Sequence, residues 1–241
     1  MSPDEGTRSF LDLHCHSSAS FDSLNDPGDL VAKAQRIGLT HLAITDHERV
    51  DGALRARDLA GDRLTVIVGE EVRTTAGDLI GLFLEHAVPR GMTPPETAQA
   101  IREQGGLVGL PHPFDRFRSS GGSQSASLEG GLEELVAAVD YVEVHNARAY
   151  GSANPRAAEL ARSHDLPGVA SSDAHSLMEL GVAYTILPGE VRGPDDLRTL
   201  LPSAALVTGR ASYLVRLMTP AAKVVQRLRG NRRIQPGAVA P

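Results

Sequence analysis

The run Leu11-Asp12-Leu13-His14-Cys15-His16 decides how the rest of the chain is read. It has the form of an apolar strand that ends in two histidines one residue apart. Side chains at i and i+2 of a strand share a face. His14 and His16 therefore present two imidazoles side by side, while Cys15 points away. Such a pair can grip one metal ion, although H-x-H alone also occurs as a solvated surface pair. The reading turns on whether later strand ends supply the remaining ligands.

Working outward, strand and helix patterns alternate almost throughout. Strands are expected at 10–14, 41–45, 64–68, 79–84, 107–110, 141–144 and 168–171, with weaker ones at 183–187 and 204–207. A helix over 27–37 has Asp26 as N-cap, Pro27 in its first turn and Gly38 as its stop. A helix over 51–60 is closed by Gly61. Thr93 and Glu96 form a capping-box pair ahead of a helix that stops at Gly105-Gly106. Further helices are expected over 128–139, 155–164 (capped by Asn154), 195–201 and 219–230. The segment 74–78 reads as a hairpin turn. About seven strand–helix repeats with no internal boundary imply a parallel sheet and a distorted (β/α)7 barrel.

The 241 residues suit one such domain. Residues 1–8 are expected to be a flexible N-terminus, 9–218 the barrel, and 219–241 a basic C-terminal helix and tail. Within the barrel, 119–127 is small and polar, like a flexible surface loop or a mobile lid. The net charge of −6 argues against nonspecific nucleic-acid binding. A single cysteine permits no internal disulfide. The polar start lacks a signal-peptide core, and no stretch approaches the roughly 18–20 apolar residues of a membrane span. A cytoplasmic location is expected; the oligomeric state is left open.

Chemistry-bearing residues gather at the expected strand ends. The first strand carries His14 and His16, the second Asp46 and His47, the third Glu71. The fifth carries His112, the sixth His145, the seventh Asp173 and His175. Six of the nine histidines thus fall at the C-terminal ends of strands, the rim where parallel α/β folds assemble active sites. Imidazole and carboxylate without thiolate suit Zn, Mn or Fe, and eight or more donors exceed one coordination shell. Glu71 would fit as a bridge between two ions. Arg148 and Arg116 are the expected phosphate-binding arginines, since a guanidinium fork matches phosphate oxygens.

His14-x-His16, Thr45-Asp46-His47, Gly69-Glu70-Glu71-Val72, Pro111-His112-Pro113 and Ser172-Asp173-Ala174-His175 resemble, in that order, the motifs of the PHP (polymerase and histidinol phosphatase) superfamily. The resemblance covers about residues 9–210. It implies a distorted seven-stranded barrel with two or three divalent ions that cleaves phosphoesters. One ion would be held by His14, His16, Glu71 and Asp173, and a second by Glu71, His112 and His145. A third would use His47 and His175, with Asp22 where many relatives have histidine. The motif selects Glu71 over Glu70. Asp78 replaces a histidine found in some members.

The expected function is therefore hydrolysis of a small phosphorylated metabolite or nucleotide by a metal-bound hydroxide. Two other classes were weighed. A C–N hydrolase of the amidohydrolase type also begins with H-x-H, but neither lysine of this chain lies at a strand end. A noncatalytic regulatory module would lack part of the ligand set. A serine nucleophile at Ser171 or Ser172 has no elbow motif.

Overall fold

The computed structural model describes residues 7–115, 125–212, 215 and 218–231. Most of the expected flexible N-terminus, most of the loop 119–127, Arg116 and the tail beyond 231 lie outside the described residues. The elements run β1 (Ser9–Asp12), α1 (Pro27–Arg36), β2 (His41–Ile44), α2 (Asp51–Ala60), β3 (Thr65–Arg73), β4 (Asp78–Leu82), α3 (Pro94–Arg102), β5 (Leu107–Leu110) and α4 (Ser125–Ala138). They continue with β6 (Tyr141–Asn146), α5 (Ala153–Ser163), β7 (Gly168–Ser171), β8 (Tyr184–Leu187), α6 (Pro194–Leu200), β9 (Ala205–Val207) and α7 (Met218–Leu228).

The start signals act as the sequence suggests. The Asp26 side chain accepts from the Gly28 amide at 2.8 Å, and Pro27 opens α1. Thr93 and Glu96 close a reciprocal capping box on α3. Asn154 differs: α5 begins at Ala153, and the Asn154 amide is turned onto β6 instead.

Among the described residues, one sheet holds all nine strands in the order β7-β6-β5-β4-β3-β2-β1-β8-β9. It is mixed rather than parallel. The pairs β1–β2, β2–β3, β5–β6 and β6–β7 are parallel. Those flanking β4 and β8 are antiparallel. A parallel connection needs a dozen or more residues. The link from β3 to β4 is instead a tight turn, closed where the Thr74 amide and hydroxyl both donate to the Gly77 carbonyl.

The sheet curls until its first and seventh strands meet. Beyond their regular ends, the Asp173 amide donates to the His14 carbonyl at 2.8 Å and the His16 amide to the Ala174 carbonyl at 2.9 Å. On the inside lie Leu11, Leu13, Ala43, Ile67, Ile80, Leu82, Leu107, Tyr141, Val169 and Leu187, floored by Val191, Leu197 and Leu201. On the outside, Leu42, Ile44, Val68, Val108 and Val142 pack under the helices. Gly109 makes room for Tyr141: a Cβ there would lie 2.2 Å from the Tyr141 ring. Among the described residues, no helix is long and apolar enough to cross a membrane.

Candidate metal centre

The strand alternation slips once, and that slip builds the site. Leu11 and Leu13 both face the barrel interior. Regular pairing stops at Asp12, and from there His14 and His16, not Cys15, continue the inner face. Cys15 packs outward, with its thiol donating to the Ala43 carbonyl. His14 and His16 are completely buried, with their Nε2 atoms 3.1 Å apart.

Glu71 stands at the centre. It lies within β3, opposite Ile80 of β4, rather than at a strand end, because β3 runs on through the Gly69-Glu70-Glu71 motif to Arg73. Its Oε2 is 3.5 Å from the Nε2 of both His14 and His16 and 3.3 Å from Nδ1 of His47. Its Oε1 is 3.3 Å from Nε2 of His112. Asp173 adds Oδ1 at 3.6 Å from His14 and 3.5 Å from His16.

A second group adjoins the first. Asp22, in the loop after His16, places Oδ2 3.4 Å from His47 Nε2 and 3.3 Å from His175 Nε2. Its other oxygen accepts from the Ser20 hydroxyl at 2.7 Å. The loop is rooted on Asp46, whose carboxylate accepts from both the amide and the hydroxyl of Ser17. Gly52 permits this root: a Cβ there would collide with Ser17 Oγ and Asp46 Oδ2 at 2.1 and 2.3 Å.

Three sets of donor atoms thus converge: His14, Glu71 and His112; His14, His16 and Asp173; and His16, Asp22, His47 and His175. Ligand atoms around an ion at about 2.1 Å lie roughly 3.4 Å apart in a tetrahedron. The observed separations match that spacing. His16 Nδ1 is buried with no hydrogen-bond partner. The donor set fits divalent cations: His14 and His16 each belong to two of the three groups, and the two Glu71 oxygens face different imidazoles.

Electrostatics follow from this crowding. Burial disfavours the His14 cation, but the Glu143 and Glu71 carboxylates outweigh it and raise its pKa to about 9. For His47, burial is likewise outweighed by Glu71 and Asp22, again to about 9. Burial and then the neighbouring imidazoles hold His16 well below its usual value. Burial would raise Asp22 and Glu71, yet the surrounding histidines keep both well below the ordinary carboxylate range. The carboxylates thus stay ionised in a dry pocket and call for positive charge.

Backbone strain marks the same rim. His112 has φ +28° and Asp173 φ +51°. Non-glycine residues there cost about 1–3 kcal/mol each and persist where the surroundings hold them.

The structure brings together His14, His16, Asp22, His47, Glu71, His112, Asp173 and His175. It does not bring His145. β6 bulges between Glu143 and His145 relative to β7, so His145 loses the inner face that it would share with Glu143 in a regular strand. Its Nε2 lies 2.8 Å from the Gly209 carbonyl and its Nδ1 3.2 Å from the Asn154 amide nitrogen. Both ring nitrogens are thereby engaged away from the cluster. Arg148 is buried, with Nη1 3.1 Å from Glu179 Oε1 and Nη2 donating to Thr219 Oγ1 at 2.8 Å. Arg116 lies outside the described residues. Asp78 pairs with Arg73 across the β3–β4 hairpin.

Three further residues hold the donors in place without belonging to any of the motifs. Glu143, inside the apolar run of β6, meets His14 Nδ1 through Oε1 at 3.2 Å. Asn146 donates to both Glu143 Oε2 and Asp173 Oδ2 at 2.9 Å. Glu179 accepts from the His175 amide at 3.0 Å. A lone acid two residues beyond an inward tyrosine was the available signal for Glu143. Nothing local marks Glu179.

A buried rim of imidazoles and carboxylates on a nearly closed α/β barrel defines a metal-binding barrel protein. The chain belongs to the PHP family: the PHP domain model matches residues 12–108 and the PHP-associated model residues 151–203. It is 35% identical over 189 residues to the uncharacterized protein MJ0417 of Methanocaldococcus jannaschii, covering 78% of this chain and 74% of that one. It is 34% identical over 147 residues to the uncharacterized protein MJ1587 of the same organism, covering 56% of this chain and 81% of that one. A solved two-domain protein from Bacteroides vulgatus, containing a predicted PHP-like metal-dependent phosphoesterase, shares the fold. Its TM-score is 0.65 at 18% identity, over 91% of this chain and 71% of that one.

Proposed function

We propose that this chain is a metal-dependent phosphoesterase that hydrolyses a small phosphorylated metabolite or a short nucleotide. One observation carries the reading: Glu71 faces four imidazoles with its two oxygens, between Asp173 on one side and the Asp22 group on the other. Divalent ions bound by these residues would activate a water at neutral pH and place positive charge against the phosphoryl oxygens. Zn, Mn or Fe suits the nitrogen and oxygen donors, with Cys15 turned away.

The protein's own groups keep the donors in order. Glu143 takes the Nδ1 side of His14 and leaves Nε2 facing Glu71. Asn146 ties Asp173 Oδ2 back, so that Oδ1 faces the histidines. Ser20 does the same for Asp22. His14, His16, Asp22, Glu71, Asp173 and His175 are buried in the barrel rim, while His47 and His112 remain partly exposed.

Structural neighbours described as PHP-like or putative metal-dependent phosphoesterases, together with the PHP family match, support the same reading. The test is a phosphoester panel on protein of defined metal content, with elemental analysis alongside. Turnover that needs bound divalent metal and stops on chelation is expected. Fully loaded protein that cleaves no phosphoester in the panel would overturn the proposal.

A further inference from the structure

The C-terminal helix α7 is attached to one of the three donor groups from both ends. Near its C-terminal end, Gln226 is 2% exposed. Its side-chain amide donates to three carbonyls of the Asp22 loop: Ser18 at 2.7 Å, Ser20 at 3.0 Å and Ser23 at 2.6 Å. One turn on, Asn231 donates to the carbonyls of Ala19 and Ser20 at 2.9 and 3.3 Å. These carbonyls flank Phe21 and Asp22. At the other end of α7, Thr219 accepts from Arg148, Arg148 pairs with Glu179, and Glu179 holds the His175 amide. Asp22 and His175 meet at 3.3 Å. The helix therefore closes a ring of contacts around the Asp22–His175 pair. The sequence suggests a basic C-terminal helix and tail, with no sign of this ring.

We propose that α7 is a latch that positions Asp22 and His175, so that its docking sets the occupancy of the His16–Asp22–His47–His175 position while the ligands around Glu71 and Asp173 hold their ions without it. This rests on the phosphoesterase reading only for its consequence in turnover; the metal-binding claim stands apart from it. The loop is otherwise a run of serines and small residues whose polar backbone lacks a strand or helix to satisfy it. Three carbonyls, those of Ser20 and Ser23 buried and that of Ser18 partly so, converge on one amide group. Removing that amide takes this donor from the Ser18 and Ser23 carbonyls, leaves Ser20 only its longer contact with Asn231, and frees the loop to turn toward water. Gln226 and Thr219 touch none of the donor atoms, so both are positioning residues.

The test is metal titration of the full-length chain, stripped and reloaded with Zn or Mn, with each ion counted and its affinity measured by calorimetry and competition. Gln226→Leu keeps the volume and burial and removes the amide group that serves the three carbonyls. Thr219→Val removes the acceptor at the other end. Val224→Ser, on the exposed face of α7, is the control. Each of the first two variants is expected to weaken one ion by about tenfold or more, as loss of an orienting partner does. The remaining ions should bind as in the parent, and the control should leave all of them unchanged. Gln226→Leu with parental stoichiometry and affinities overturns the latch, as does an equal weakening of every ion. If Gln226→Leu does not fold, Thr219→Val decides alone by the same criteria. Phosphoesterase inactivity of the parent protein would overturn the proposed function and leave this metal count readable.

Discussion

Glu143 Oε1 lies 3.2 Å from His14 Nδ1, both side chains being fully enclosed. This contact fixes which ring nitrogen His14 offers to Glu71. A carboxylate behind a ligating imidazole also raises its basicity. Glu143→Gln keeps the shape and removes the charge. Metal affinity, read by competition with a chromophoric chelator, should fall by about 10–100-fold with little change in far-UV circular dichroism. Parental affinity in this variant would remove Glu143 from the support of the centre.

His14→Ala and Asp173→Ala should each abolish phosphoester turnover while the barrel remains folded. Both side chains face Glu71 and its neighbours from the closing seam of the barrel. The comparison is made at matched metal content. Either variant turning over at the parental rate would sink the metal-hydrolysis mechanism.

Arg148 was expected at the substrate rim and is found in a buried pair with Glu179, with Thr219 as a further partner. Removing one partner of a buried pair leaves the other charge uncompensated, at a cost of about 3–5 kcal/mol. Arg148→Met should therefore lower the urea midpoint strongly. A variant as stable as the parent, with a raised KM for phosphoesters, would restore Arg148 to substrate binding.

His41 gives a pH signature far from the rim. Its Nε2 lies 2.7 Å from the Val191 carbonyl and its Nδ1 2.8 Å from Thr40 Oγ1. Burial lowers its pKa below the ordinary 6.5, more than the Val191 carbonyl raises it. The unfolded chain then takes up a proton near pH 6.5 that the folded chain resists. Its contribution to stability is complete above that pH and is lost as pH falls toward the lowered folded value. His41→Gln should flatten this part of the stability–pH curve, measured by urea unfolding from pH 8 to pH 5. An unchanged slope would show that other groups govern it.

The rim was legible because its parts are short-range: H-x-H, D-H, G-x-E, P-H-P and D-x-H each follow an apolar run. Periodicity also located the helices, with Asp26 and Thr93–Glu96 marking their starts. What escaped notice depends on register between distant strands. The β6 bulge, which removes His145 and advances Asn146, is defined only against β7. The turn at 74–78 is legible and makes β4 antiparallel, whereas the reversed pairing of β8 with β1 and β9 shows only in the sheet order. Gln226 carried no signal, because a glutamine in a basic amphipathic helix looks like any solvated residue until its partners fold beneath it.

The seam between His14 and Asp173 also bears on folding. These backbones bond to each other across nearly the whole length of the barrel sequence. Contacts of such separation are slow to form, because most of the chain must be ordered before they can. A nascent chain therefore holds the local His14-x-His16 pair before Asp173 and His175 can complete the cage. High-affinity metal capture becomes a late event in folding, a chemical report that the ring has shut.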